Sequence, residues 1–336
     1  MTTTKYGDSG VSPRTNVFAE RQMLKHAGPH IVLDKFGMNR PMPKNKTQTI
    51  KFRRPRVFTA ADTPLVEGVT PSATQFRYED VSATVKQYGM LVEITDHIED
   101  THEDPVLNDA TEQVGENIGR TIESLTYGVL KAGTNVFYAN GSARNAVNTP
   151  ISKSKQQAVI RSLKAQKAMK ITKVMDGSVN YKTSPIEASF IAVAHTDLES
   201  DIRALPGFVP VAEYGNRKTV HEYELGSVDD VRYVCSADLD PIIDAGGAKS
   251  GSGTEMVSTS GTSADVYPIL FFGKDAYGTV PLRGQGAVSP TILRPGVRDK
   301  SDPLGQRGYV GFKTWFTAVI LNQAWMARLE VAATAL

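Results

Sequence analysis

The stretch that decides the fold is DPVLNDATEQVGENIGRTIESLTYGVLKAG, residues 104–133. Apolar side chains recur along it at helical spacing and form a single stripe, made of Leu107, Ala110, Val114, Ile118, Leu125 and Val129. Asp104 is a favourable N-cap, Pro105 suits the first helical position, and Gly133 suits the position after the last turn. The sequence therefore predicts one helix over 105–132, about 42 Å long at 1.5 Å per residue.

The residues before this helix alternate between polar and apolar side chains, as strands do. Alternation runs through 49–53, stops in a link rich in proline and glycine, 59–72, and resumes at Gln75. Beside Gly89 the apolar positions shift by one residue, which predicts a β-bulge. Together these features predict a long, bent hairpin, which needs another surface to pack on.

After the helix, further helical and strand patterns alternate. The segments are a second helix over 154–169, buried strands over 189–194, 231–236 and 266–272, and a C-terminal strand or bent pair over 309–331. Between two of the strands, residues 245–263 are rich in Gly, Ser and Thr and predict a mobile surface loop. The pattern as a whole predicts an α+β fold.

The composition is that of a folded chain. Of its 336 residues, 40% are hydrophobic and 22% are charged, so the chain can bury a core. A net charge of +2 gives no overall signature for nucleic acid or a membrane. The single cysteine, Cys235, excludes an internal disulfide and zinc sites built on paired cysteines. The N-terminus lacks a secretory signal, and no apolar run is long enough to cross a bilayer.

Residues 1–45 are polar and weakly patterned, with one short helix predicted over 16–27. A segment of this kind cannot bury itself alone. It is therefore expected to remain loose or to lie on a neighbouring subunit.

An acidic run, EITDHIEDTHED, occupies residues 93–104 and holds six carboxylates and two histidines. Such side chains can bind metals, but His97 and His102 are five residues apart and no HExxH frame is present. The favoured interpretation is a solvated surface or an intersubunit salt-bridge surface. A metal-dependent enzyme that uses this run is kept as an alternative.

Two segments are strongly basic. Residues 35–56 hold eight lysines and arginines, residues 151–175 hold seven, and neither segment contains a carboxylate. Basic segments can contact DNA phosphates. They can equally meet the acidic run of residues 93–104 on a neighbouring subunit.

The sequence lacks the usual motifs of catalysis and cofactor binding. GGAKSGSGT, residues 246–254, has no Gly-Lys-Ser/Thr ending of a phosphate loop, and no GxSxG elbow occurs. Cys235 lies in an apolar strand, where thiols are usually inert, and His195 is interpreted as structural. We therefore predict no catalytic residue, no cofactor and no metal site, and a chain that is not an enzyme.

Three stretches carry a resemblance to a known family. They are residues 64–139, which begin PLVEGVTPSATQFRYEDVSATVKQYG; DLESDIRALPGFVPVAEYG, residues 197–215; and DPLGQRGYVGFKTWFTAVILNQAWMARLEVA, residues 302–332. With the strands between them, the chain resembles the major capsid (coat) proteins of tailed bacteriophages. These proteins have the Hong Kong 97 phage-type fold, and the likeness is to the podophage branch.

The resemblance implies an organisation and a function. The implied units are an N-terminal arm (1–45), an E-loop hairpin (46–95), a peripheral domain (96–184) with a spine helix (105–132), an axial domain (185–290) with a surface loop (245–263), and a C-terminal return to the peripheral domain (291–336). In this family, arm and E-loop lie over adjacent subunits. Hexamers and pentamers of one polypeptide then close an icosahedral shell around a double-stranded DNA genome.

The resemblance also implies partners and a location. The arm is too short to be a built-in scaffolding region, so a separate scaffolding protein, or none, is expected, together with a portal. A decoration protein on 245–263 and non-specific contact with packaged double-stranded DNA are expected as well, but no membrane. The protein would be assembled in the cytoplasm of the bacterial host and would reside in the virion. A minor virion protein, either a decoration subunit or one adjacent to the portal, is kept as an alternative.

Charged residues of the hairpin and of the acidic run are candidates for contacts between subunits, because opposite charges on adjacent copies attract. The candidates are Arg53, Arg54, Arg56, Glu67, Glu99, Asp100 and Glu103.

Overall fold

The computed structural model describes residues 31–43, 45, 47–101, 106–175, 183–215, 217–250, 255–281, 288–298 and 302–336. The α-helices within these ranges are α1 (Asp96–Thr101), α2 (Val106–Lys131), α3 (Lys153–Ala165) and α4 (Glu199–Arg203). The strands are β1 (Met38–Asn39), β2 (Thr49–Pro55), β3 (Tyr78–Thr84), β4 (Lys86–Thr95), β5 (Val136–Tyr138), β6 (Ile171–Met175), β7 (Thr183–His195), β8 (Phe208–Pro210), β9 (Glu224–Val228), β10 (Val231–Ser236), β11 (Val266–Phe272), β12 (Tyr277–Thr279), β13 (Val288–Leu293), β14 (Arg307–Phe316), β15 (Ala318–Ile320) and β16 (Met326–Ala332). None of the described helices is both long and apolar enough to cross a membrane.

The long helix is present as predicted, since α2 spans Val106–Lys131 against the expected 105–132. Its first half lies on a three-stranded sheet in which β14 is flanked by β13 and β4. In that contact, the helix side chains Leu107 and Val114 share a core with Val310 of β14. Over this half, the apolar stripe of the sequence is the face that the helix buries.

The strand β4 differs from the expected bent hairpin. It pairs with β14 in an unbroken antiparallel register, with Gly89 opposite Lys313, so the predicted β-bulge is wrong. A side chain at Gly89 would place its Cβ 2.6 Å from the carbonyl oxygen of Phe312, which explains the glycine. The shift in the apolar pattern comes instead from a change of sheet at Val85, where the chain leaves the β2–β3 pair and enters β4.

The second half of α2 buries a different face from the one predicted. Glu123, Tyr127 and Leu130 are buried, whereas Leu125 and Val129 are half-buried. This face meets β11, β12 and the chain that precedes β1. The helix passes from one sheet to a second surface that approaches it from another side, so a single regular stripe cannot describe both contacts.

The largest unit is an eight-stranded sheet with the order β5–β16–β11–β7–β10–β9–β8, in which β6 also pairs with β7. Its strands β10 and β11 match the predicted ranges 231–236 and 266–272, and every residue in them is buried. The helix α3 packs on one face of the sheet, and the second half of α2 packs on the other. Strands that are covered on both faces have continuous apolar runs, and these runs are why β10 and β11 could be predicted from the sequence.

The strands of this sheet come from three of the predicted segments. Strand β5 belongs to 96–184, β8 to β11 belong to 185–290, and β16 belongs to 291–336. The C-terminal segment is divided between the sheets, because β14 pairs with β4 while β16 lies between β5 and β11. The proposed domain boundaries remain predictions.

Part of the predicted N-terminal arm is built into the body of its own subunit. Residues 32–42, here named the strap, bury Val32, Leu33, Phe36 and Met42. Within the strap, β1 pairs in parallel with β12. The expectation that the whole arm lies loose or on a neighbour is therefore wrong for the strap, because its first three buried side chains fill the core beside α2 and Met42 packs in a separate small core. The helix predicted over 16–27 lies outside the described residues.

The segment predicted as a mobile loop, 245–263, is fastened to the body on both sides of its tip. The amide of Gly246 donates to Ala264, and the amide of Val257 donates to Ala333 in the chain after β16. The buried carboxylate of Asp265 accepts hydrogen bonds from the Asp244 amide and from a side-chain hydroxyl nearby. The tip, residues 251–254, is outside the described ranges, so its mobility remains a prediction.

A fully buried carboxylate fastens the C-terminal strand. Glu330 on β16 accepts two hydrogen bonds from Arg144, at 2.8 and 2.7 Å, and lies 2.9 Å from the guanidinium of Arg328. Hydrogen bonding to Glu330 raises the pKa of Arg144. Buried charges are tolerated where they are paired and hydrogen-bonded. The pair therefore ties the turn at Arg144–Ala146 to the sheet.

We expect Arg144→Ala to lower the free energy of unfolding by about 2 kcal/mol, because Glu330 would keep one cation instead of two in a buried position. Denaturant unfolding of the purified subunit measures this change. Lys249→Ala is the matched control: its partner Glu255 is exposed, and exposed pairs contribute little. Equal losses in the two variants would contradict the importance of burial at Glu330.

Candidate contact surface

The β2–β3 hairpin is an exposed element. Its strands pair antiparallel, from Thr49 opposite Thr84 to Pro55 opposite Tyr78. Every residue of the connection between them, 56–77, is exposed to solvent. The connection has no core of its own, so its side chains are available to a second molecule.

Two of the predicted contact arginines are already engaged within their own hairpin. Arg53 donates two hydrogen bonds to Asp80, at 2.8 and 3.0 Å, and Arg54 donates one of 2.8 Å to Glu79. The hydrogen bond from Arg53 lowers the pKa of Asp80. The Arg53 guanidinium also lies 5.1 Å from the centre of the Tyr78 ring. These cross-strand pairs support the register of the hairpin, a role that the linear sequence did not indicate.

The other predicted contact residues of the hairpin carry exposed charges that remain available to another molecule. Arg56 is exposed and makes no ion pair with any described residue, although its amide donates to the Arg77 carbonyl. Glu67 is exposed near the middle of the connection. Arg56 is thus the arginine of the three whose charge is most available to another copy.

A row of aromatic rings lies beside these charges on the hairpin. The Phe58 and Phe76 ring centres are 6.0 Å apart, and Phe76 meets Tyr78 edge to face at 4.7 Å. All three rings are more than half exposed. The connection also exposes four aliphatic side chains, Val57, Leu65, Val66 and Val69. Exposed apolar groups of this extent mark interaction sites, and aromatic residues with arginine are the typical centres of binding energy.

The second predicted surface lies on α1 and the first half of α2. Glu99 and Asp100 are exposed on α1, as the sequence suggested, while Glu103 falls outside the described residues. The exposed face continues along α2 through Asp109 and Glu112, which were not among the predicted residues. Their helical spacing, opposite the buried stripe, was the signal that could have found them. We call α1 and residues 106–116 of α2 the acidic surface, because 96–119 contains no lysine or arginine.

The carboxylates that begin the acidic run serve structural contacts. Glu93, on β4, lies 3.6 Å from the guanidinium of Arg307, and the Asp96 carboxylate accepts a hydrogen bond of 2.7 Å from the His97 amide. No group of three or more potential metal ligands occurs among the residues that the structure describes. Across the described part of the run, the arrangement is that of exposed and paired charges, which offers no support for the metal-dependent alternative.

The second basic segment, 151–175, is partly neutralised by the turn between β9 and β10. Lys164 and Lys170 pair with Asp230, and Lys153 lies 3.5 Å from Asp229. The hydrogen bond from Lys164 lowers the pKa of Asp230. Several cations of this segment are therefore used within the subunit, which reduces what it can offer to DNA phosphates.

The side chains considered as nucleophiles or bases occupy structural positions. Burial raises the pKa of the Cys235 thiol to about 12, so the thiol is protonated and inert. His195 accepts a hydrogen bond of 3.1 Å from the Asp197 amide, which begins a helical turn. His195 is the last residue of β7, and Cys235 lies within β10 in the core of the eight-stranded sheet.

Comparisons with known proteins point to one family. A family model described as "Phage capsid protein" matches residues 78–328. The capsid of Ralstonia phage GP4 has a TM-score of 0.62 at 12% identity, covering 96% of this chain and 99% of that chain. The capsid of cyanophage P-SCSP1u has a TM-score of 0.60 at 13% identity, covering 95% and 93%. The capsid of cyanophage Pam1 has a TM-score of 0.58 at 13% identity, covering 96% and 100%.

At such identities the solved structures establish the fold, so the predicted Hong Kong 97 phage-type fold is confirmed. Among curated proteins, none matches the chain.

We expect Arg53→Glu to loosen the hairpin, because two carboxylates would then face each other across β2 and β3. Adding Asp80→Arg restores opposite charges at the same register and should restore protection. Hydrogen exchange of peptides from Thr49–Pro55 measures the effect, with the exposed Arg298→Glu as control. If the double variant stayed as unprotected as the single one, the pair would have no role in holding the register.

Proposed function

The chain belongs to the phage capsid protein family, and we propose how its surfaces perform the function of a major capsid protein, which is to build the shell of a phage head. Copies of the chain associate with one another to form that shell. In our proposal they associate as hexamers and pentamers, which close an icosahedral lattice around the double-stranded DNA of a tailed phage. The protein is then a component of the virion.

The observation that carries this proposal is the exposed β2–β3 hairpin. Its aromatic row and aliphatic side chains are uncovered in the isolated subunit, although apolar groups of this kind gain free energy when they leave water. A neighbouring copy is the partner that is always present at the required stoichiometry. The hairpin therefore acts as an arm that binds the adjacent subunit.

Charge complementarity supports the acidic surface as the place where the hairpin binds. Residues 46–58 contain lysines and arginines and no carboxylate, while 96–119 contains carboxylates and no lysine or arginine. Opposite potentials of this kind steer encounter and select the correct partner more than they add affinity. The apolar side chains would supply the affinity, and the charges of Arg56, Glu99 and Asp100 would set the orientation.

The two surfaces are different parts of the chain, so a contact between them is heterologous. Heterologous contacts produce rings when the rotation between copies closes, and open assemblies when it does not. Hexamers and pentamers are rings of this type. Each contact can be modest, because the closed lattice repeats it around every ring.

The experiment that tests the proposed function is negative-stain electron microscopy of the chain expressed alone and concentrated. Closed shells, tubes or rings would support self-assembly. A small, uniform species would call for co-expression with the candidate scaffolding protein. Failure in both settings would favour the alternative of a minor virion protein, which low copy number in purified particles would also indicate.

We expect Arg56→Glu to impair assembly while the subunit remains folded, because it places a carboxylate opposite the acidic surface. Glu99→Lys together with Asp100→Lys in the same chain should recover assembly, since every copy then carries both reversed partners. Particle yield by microscopy is the readout, with circular dichroism as the check on folding. Arg298→Glu is the control for reversal of an exposed arginine.

Normal assembly of Arg56→Glu, or no recovery in the triple variant, would remove these residues from the contact. The broader change of Arg53, Arg54 and Arg56 together is a weaker test. Two of those arginines support the hairpin itself, so its loss of assembly would have two explanations.

We expect Phe76→Ala to raise the concentration at which assembly begins by about tenfold, which corresponds to a loss of about 1.4 kcal/mol of contact energy per copy. Phe76 is the middle ring of the aromatic row, and it touches both of the other rings. Light scattering over a concentration series measures the threshold. Leu304→Ala removes another exposed apolar side chain, outside the hairpin, and should leave the threshold unchanged.

Further partners complete the proposal. A scaffolding protein and a portal would direct closure, and a decoration protein would bind on the segment 245–263. Packaged DNA would make non-specific contact with basic side chains of 151–175 that lack an ion pair to the described residues, such as Lys155 and Arg161. Assembly would take place in the cytoplasm of the bacterial host. The family and fold are structural, and we propose that the chain has no enzymatic activity.

A further inference from the structure

A buried side chain of α2 holds the start of the strap. The carboxylate of Glu123 accepts hydrogen bonds from the amides of Val32, at 3.2 Å, and Leu33, at 3.1 Å. Glu123 has no exposed surface, and 90 residues separate it from Leu33. The hydroxyl of Tyr277 on β12 donates to the Leu33 carbonyl, so the same short segment is held from two sides.

The charged groups around Glu123 disfavour the ionised form of its carboxyl. Burial raises the pKa of Glu123 most, and the hydrogen bonds from the Leu33 and Val32 amides lower it in part. The negative charges of Asp238, which follows β10, and of Asp34 in the strap raise it again. The neighbouring Tyr277 is neutral. One cation adjoins this group: Arg120 of α2, which is exposed and lies 3.7 Å from Asp238. Among the described residues, no cation pairs with Glu123 itself.

We propose that Glu123 is a proton-dependent latch that fastens the start of the strap to α2. With its proton on Oε1, the carboxyl is neutral, and its carbonyl oxygen Oε2 accepts the amides of Val32 and Leu33 without a buried charge. Without the proton, the same contact places a charge in the core beside Asp34 and Asp238. The ionised latch is weaker, and residues 32–36 leave their site more often.

The pH range follows from the direction of the shift. Burial raises the pKa of Glu123 from its ordinary value of 4.5 to about 8, so the closed latch binds a proton that the open latch has released. The latch is strongest below about pH 4.5, and it weakens by up to about tenfold per pH unit as pH rises. Above about pH 8 both forms are ionised, and the effect levels off.

Opening is confined to the first part of the strap by what lies on either side. Val32, Leu33 and Phe36 pack in the core with α2 and β12, and they would be released with the latch. Further along, β1 remains paired with β12, and the Met42 amide donates to the Pro281 carbonyl. The latch therefore controls how firmly residues 32–36 are held against the subunit, and it does so without unfolding the body.

The test is hydrogen exchange of peptides that contain Val32 and Leu33 in the full chain, measured from pH 5 to pH 9.5 and corrected for intrinsic exchange. Wild-type protection should fall by up to about tenfold per pH unit and level off near pH 8. Glu123→Gln has no carboxyl proton to lose. Protection of Val32 and Leu33 in this variant should therefore fall much less with pH, and only by the part that ionisation of Asp34 contributes. Glu112→Gln, an exposed glutamate on the same helix, should behave as wild type.

Asp238→Asn provides a second test of the latch, which applies even if Glu123→Gln does not fold. Asp238→Asn removes one negative charge near Glu123, so Glu123 ionises more easily and the levelling-off should move to lower pH. A midpoint unchanged by Asp238→Asn would overturn the latch. So would wild-type protection that is constant over the range, or a pH profile of Glu123→Gln equal to that of the wild type.

Discussion

One helix packs against two different surfaces, and the rest of the subunit is arranged around that constraint. Leu107 and Val114 hold the first half of α2 on the three-stranded sheet, while Tyr127 and Leu130 hold its second half against the eight-stranded sheet and the strap. Because the three-stranded sheet covers only one side of the first half, the opposite side stays in solvent and carries the acidic surface. The same sheet contains β4, which continues directly from the exposed hairpin. The two proposed contact surfaces are thus both placed by a single helix–sheet contact.

Elements of the fold could be predicted from the sequence where they bury a regular pattern of apolar residues. The strands at 231–236 and 266–272 are covered on both faces, and their apolar runs located them to the residue. The long helix was found for the same reason, because its first half has one buried stripe. Glu123 could not be found as a buried residue, since the strap that covers it comes from 90 residues away. The β-bulge predicted at Gly89 was wrong for a related reason. Glycine is required there because the backbone of Phe312 on another strand lies close by, and a linear pattern does not contain that contact.

Candidate contact residues could be proposed from the sequence where the argument rests on charge, but not where it rests on strand pairing. Clusters of like charge are visible in a linear sequence, so Arg56 and Glu99 could be proposed as contact residues from their charge and position in the chain. The partners of Arg53 across the hairpin required the register of β2 and β3. The aromatic row was missed because Phe58 and Phe76 lie at the two ends of a connection without periodicity. Pairing of the flanking strands is what brings those ends together.

Two fully buried carboxylates show how the surroundings decide what such a group can do. Glu330 is held by Arg144 and faces Arg328, so its negative charge is paired with cations inside the core. Glu123 is equally buried, but its described partners are neutral amides and its charged neighbours are negative. Its contact therefore exists in two forms that differ by one proton. A subunit that is rigid in its sheets and adjustable at the strap uses both kinds of site, and the presence or absence of an arginine is enough to separate them.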